Sequence, residues 1–167
     1  GCADLGNLNS IVGTGGGGPN VNFTGPAVTG QEDAGGASIN NSDTITLRGA
    51  GTLSMRITGD PGGTNSPISL GAVAGLQEDD LVMVSNCQGR MAGGATTTEV
   101  FQATNVNTAT GEVAHASGGP APGNTTATLN TTYPNGMAMT VRQAVYRVAN
   151  GATGSPTLQT SINGRAF

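Results

Sequence analysis

The chain has 167 residues and a formal charge of −4, with 29 glycines, no tryptophan, 3% aromatic and 10% charged residues. That is one domain's worth of chain around a single core, and six scattered arginines with no lysine exclude the clustered cations that phosphate binding draws on. No stretch nears the roughly 18 apolar residues of a membrane span, and Thr, Val, Asn and Gly in short alternation exclude a helical bundle in favour of a mainly β class.

In chain order, residues 1–41 read as a loop-rich wrap over a surface. "LNSIVGTGGGGPNVNFTGPAVTGQEDAGGASINN" is so dense in Gly, Asn and Pro that no element longer than a few residues fits. Residues 42–167 read as the β-sheet core of a single globular domain spanning 1–167, antiparallel, with long Gly/Thr/Asn-rich loops. "DTITLRG" alternates Ile45 and Leu47 inward and "TLSMRIT" does the same with Leu53, Met55 and Ile57, so the "GAG" between them predicts a hairpin. "DPGGTNSP" is a turn-rich loop, "LVMVSN" is apolar on both faces like a central strand, and "EVFQATNV" places Phe101 and Ala103 on one side. Beyond the loop "ASGGPAPGNTT" lies the longest strand candidate, "MTVRQAVYRVA". Its Val141, Gln143 and Val145 face opposite to Arg142, Ala144, Tyr146 and Val148. The turn "NGATGSP" then leads into "TLQTSI".

Each chemical motif has a plainer reading beside it. "GTGGGG" matches GxGxxG at Gly13, Gly15 and Gly18, but dinucleotide binding needs a strand before it and a helix opening at the last glycine, and Pro19-Asn20 supplies neither. His115, with Glu112 nearby, is the chain's one imidazole base, and without a nucleophile elbow or a cysteine–histidine signature it reads as a surface or cross-strand histidine. Glu78, Asp79 and Asp80 lack the spacing of a calcium loop and read as a solvated turn. Asn22, Asn40, Asn124 and Asn130 fit N-x-S/T, which carries little weight in so threonine-rich a chain. The residues therefore point to no enzyme, no metal and no cofactor.

Two cysteines, Cys2 and Cys87, have no CxxC spacing and share the chain with one histidine, a poor set for a metal. They are either one disulfide or two buried thiols. The disulfide is the stronger reading, because closing so long a loop on an aromatic-poor core stabilises by about 4 kcal/mol in the chain-entropy model, and it implies an oxidising compartment.

The order of these features resembles a family. The opening "GC", the Gly/Asn-rich loop, "NNSDTITLRGAG", "EDDLVMVSNCQGRMAGGATTTEVFQATNV" and "YRVANGATGSPTLQTSINGRAF" together look like the globular part of a PilW-type minor pilin of type IV pili. The likeness runs through Ser42-Asp43 to Arg48, Leu81 to Cys87, Val100 to Asn105, and Tyr146, Val148, Gly154, Pro156 and Leu158. It implies an α+β pilin fold once a long N-terminal helix is included, Gly1-Cys2 being the end of that helix, and a piece trimmed from a longer precursor. It implies a structural role in a priming or tip complex with other minor pilins, the major pilin and a PilY-type tip adhesin. The setting is the envelope of a diderm bacterium, first periplasmic and membrane-anchored through that helix, then on the fibre. It also implies that a Cys2–Cys87 bond pins the junction of helix and sheet. The alternative class is a secreted β-sandwich binding module of carbohydrate-binding or phage-adhesin type, for which Phe23, Phe101, Phe167, Tyr133 and Tyr146 are few and mostly strand-bound.

Overall fold

The structure, a computed structural model, describes residues 8–14, 18–32, 42–59, 62–86 and 97–167. These residues form strands and loops only, so the class is mainly β. The strands are β1 (Leu8–Ser10), β2 (Val28–Gln31), β3 (Thr44–Arg56), β4 (Ile68–Ser69), β5 (Leu81–Ser85), β6 (Thr98–Gln102), β7 (Asn105–Asn107), β8 (Glu112–Ala114), β9 (Met137–Asn150) and β10 (Pro156–Ile162). The wrap expected over residues 1–41 thus contributes two strands, of three and four residues.

The main sheet runs β1-β6-β5-β9-β3-β2, with β10 also on β9, and β4-β8-β7 form a small second sheet. Its pairings are antiparallel except β1 with β6, which is parallel. The organising element is β9. Its run of β-branched and long side chains holds neither Gly nor Pro, so nothing interrupts the ladder before Asn150. One edge of β9 pairs with β3 from Thr44 to Arg56, and the other is shared by β5 along Met137 to Val141 and β10 along Ala144 to Asn150.

The long reach of β9 overturns the hairpin expected around "GAG". Both halves lie in one strand, β3, and both pair with β9. Between Ala50↔Val141 and Ser54↔Met139 the register slips, so that residues 51–53 bulge opposite Thr140. A Cβ on Gly51 would fall on the Thr140 side chain, and the Leu53 N–H donates to Thr140 Oγ1 at 3.4 Å. A hairpin would have paired the halves with each other and left half of that edge of β9 bare.

The two faces of the sheet are covered differently. On one face Leu81, Met83, Val100 and Val141 form a core closed by Phe23, which descends from the segment 18–27. On the other face Val82, Val84, Phe101 and Ala138 pack under the small sheet and its loops with Ile68, Leu70, Val113 and Tyr133. Cover on both sides leaves every residue of β5 and β6 buried, which is why "LVMVS" shows no alternation.

Candidate interaction surface

The second face is covered only where β5 and β6 lie. Toward the far ends of β3 and β9 it is open. Ile45 and Leu47, expected to point inward, are 48% and 40% exposed, beside Val28 at 63% and Leu158 at 67%. The register sets them side by side: Ile45 opposite Tyr146, Leu47 opposite both Ala144 and Val28, and Leu158 opposite Val148. Tyr146 and Val148 are half-buried. The alternation places these residues on one face as expected. They stay in solvent because the covering layer reaches β3 and β9 only at Leu53, Met55 and Ala138 among the described residues. The outcome is a four-strand apolar patch, the kind of surface that marks association. A depression of about 330 Å³ in it is lined by Leu47, Gly49, Arg142, Ala144 and Tyr146. Arg142 is exposed and has no ion pair among the described residues, whose one such pair joins Arg165 to Asp79 at 3.6 Å.

The opposite face is held shut by two polar side chains that reach from the sheet. Gln143 Oε1 accepts from the Asn22 N–H at 3.0 Å while its Nε2 donates to the Asn20 carbonyl at 2.7 Å. Arg48 donates from Nε to the Asn22 carbonyl at 2.5 Å and from Nη1 to the Pro26 carbonyl and Thr29 Oγ1, each at 3.0 Å. These bonds hold residues 20–29 as a strap that presses Phe23 onto the sheet. Beneath it an apolar pocket of about 320 Å³ is lined by Phe23, Ala27, Met83, Met139 and Val141.

The sequence candidates for chemistry do not converge. His115, read from the sequence as a surface or cross-strand histidine, is buried next to the end of β8. It packs at 5.2 Å between ring centroids against Phe101, with Nδ1 3.0 Å from the Ala127 carbonyl and Nε2 2.9 Å from the Ser66 carbonyl. Both ring nitrogens thus lie against backbone carbonyls, and Glu112 instead accepts from Thr110 Oγ1 at 2.9 Å. The acids 78–80 diverge: Glu78 accepts from Asn105, Asp79 from Gln102 and Asp80 from the Gln77 N–H. Among the described residues no group of His, Cys, Asp and Glu could hold a metal. Gly13 donates its N–H to the Gly123 carbonyl at 2.8 Å, and a Cβ on Gly18 would strike the backbone of Gly164 and Arg165, so both are close-packing positions. Gly15 and Asn40 lie outside the described residues, as do Cys2 and Cys87. Asn22 and Asn130 are exposed, whereas Asn124 is buried, accepting from the Gln102 N–H at 2.7 Å and donating to the Gln102 carbonyl at 2.8 Å.

Sequence reading missed one group, the carboxylate of Glu99. It is fully buried and accepts from Asn9 Nδ2 at 2.8 Å, the Asn130 N–H at 2.8 Å and the Tyr133 hydroxyl at 2.5 Å. Burial first, then the hydrogen bond and charge of Glu99, push the Tyr133 phenol far above its ordinary value. The arrangement is a tie between β1, β6 and the loop at 130–133. The available signal was an acid within a strand, between Thr98 and the apolar pair Val100-Phe101, without any clue to its partners.

No family model matches the chain, and neither a curated protein nor a solved structure does.

Proposed function

We propose that this chain is the globular part of a PilW-type minor pilin. It acts as a structural subunit of the priming or tip complex on which major pilin polymerises. The observation that carries the reading is the open apolar face of Val28, Ile45, Leu47, Tyr146 and Leu158 on an otherwise well-covered sheet. An exposed apolar face on a rigid sheet is the kind of surface through which a subunit makes contacts. In this reading the face packs against neighbouring pilins, and the helix implied upstream of Gly1 anchors the subunit in the membrane and then in the fibre. The setting is the envelope of a diderm bacterium, and a PilY-type adhesin is the partner at the tip. The experiment that tests it is rescue of piliation in a strain lacking the gene, comparing the full-length precursor, the same precursor with aspartates on the open face, and the present fragment alone.

A further inference from the structure

Strand β10 is a lateral edge: it pairs with β9 and with no other described strand. Natural sheets keep such edges short, or blunt them with charge, bulges or proline, because a bare row of donors and acceptors recruits further strands. The outer edges formed by β1 and β2 have three and four residues. By contrast β10 has seven, no ionisable side chain and an unbroken register, with proline only at its first position.

The bonds at the two ends of the β9–β10 ladder fix which groups point outward. The Gly151 N–H donates to the Ser155 carbonyl at 2.9 Å and the Asn163 N–H to the Gln143 carbonyl at 2.8 Å. Bonded pairs recur at every second residue of an antiparallel ladder. Thr157, Gln159 and Ser161 therefore bond inward to β9, and Pro156, Leu158, Thr160 and Ile162 aim their backbone groups outward. Two outward groups are special: Pro156 has no N–H, and the Ile162 carbonyl already accepts from the Arg165 N–H at 3.1 Å.

We propose that β10 pairs with β10 of a second copy of this chain, antiparallel, with Gln159 on the two-fold axis. In this register Leu158 faces Thr160 of the second copy and Pro156 faces its Ile162. Each Leu158–Thr160 pair exchanges two hydrogen bonds, and each Ile162 N–H donates to the facing Pro156 carbonyl. The donor that Pro156 lacks falls opposite the carbonyl that Arg165 already occupies, so neither strand keeps an orphan backbone group. A register centred on Thr160 would instead ask that carbonyl for a second donor. The neutral strands meet without like charges opposed, and the contact is isologous, closing at two copies. This inference stands apart from the pilin reading, since it is read by association of the purified chain and not by piliation.

Sedimentation velocity and cysteine cross-linking test it. The wild-type chain should pass from monomer to dimer as concentration rises. Thr160→Pro removes an outward donor without touching a bond to β9 and should keep the circular dichroism spectrum while weakening association at least tenfold. Gln159→Cys should give a disulfide-linked dimer under mild oxidation, because facing Cα atoms of a non-bonded pair lie about 4.5 Å apart, within disulfide range. Thr157→Cys, which faces Ser161 of the second copy and not itself, should cross-link no faster than wild type. A wild-type chain that stays monomeric at about 1 mM, the low-millimolar limit for weak association, would overturn the proposal. So would a folded Thr160→Pro chain that dimerises undiminished, or equal cross-linking at 157 and 159.

Discussion

At the scale of single residues, Glu99 and Tyr133 show how a polar group is kept inside an apolar core. Three donors converge on the carboxylate, one from β1, one from a loop N–H and one from Tyr133. Leaving such a group short of a partner costs about 1–3 kcal/mol, and Tyr133→Phe should lose that much at neutral pH. The variant should also change the alkaline limb of stability. The unfolded phenol ionises near the ordinary tyrosine value of about 10, whereas the buried one keeps its proton to a much higher pH. Stability is therefore held in full below pH ~10 and falls by about 1.4 kcal/mol per pH unit above it, since the folded state then binds one proton more. Urea unfolding on either side of that pH checks this: the wild type should show a slope steeper by one proton than Tyr133→Phe, and equal slopes would contradict it. None of this network was legible in the sequence, because Asn9, Asn130 and Tyr133 reach Glu99 from distant segments that only the fold brings together.

At the scale of elements, periodicity identifies which residues share a face but not whether anything covers that face. Val141, Gln143 and Val145 do face away from Arg142, Ala144 and Tyr146, and β5 reads correctly as a central strand because its run is apolar on both sides. The same alternation placed Ile45 and Leu47 together correctly and yet wrongly in the core, since cover is a tertiary property. The hairpin failed for a related reason: Gly-Ala-Gly suits a turn or a bulge equally, and the length of β9 decides between them. The fastenings of the strap at Arg48 and Gln143 were not legible, because they join segments far apart in sequence. Arg48→Met should release the strap, lowering stability by about 1–3 kcal/mol through the lost charge-assisted bonds. Hydrogen exchange should speed up at residues 20–29 while β5 and β6 stay protected. Uniform acceleration across the sheet would show that Arg48 supports the whole core and not the strap alone.

At the scale of the whole molecule, Cys2 and Cys87 lie outside the described residues, and only their places in the chain bear on their pairing. Leu8 of β1 and Ser85 of β5 both pair with Thr98 of β6, one from each side. In the sequence Cys2 lies a few residues before Leu8 and Cys87 shortly after Ser85. We expect non-reducing peptide mapping to find them joined, and Cys87→Ser to be less stable by roughly 2–5 kcal/mol. Two alkylatable thiols in oxidised protein would remove the bridge, and with it this account of how stem and sheet are joined.

The same scale holds the central claim, that the molecule acts by packing its open face into a pilus assembly. Ile45→Asp with Leu47→Asp puts two charges on exposed positions, so the fold should survive while an apolar contact is lost. The direct measurement is the number of surface pili in a strain lacking the gene and supplied with the full-length precursor, its face variant or the present fragment. The account predicts restored pili with the precursor, few with the folded face variant and none with the fragment. Full piliation from the fragment, or from a face variant that is folded and present at wild-type level, would contradict it.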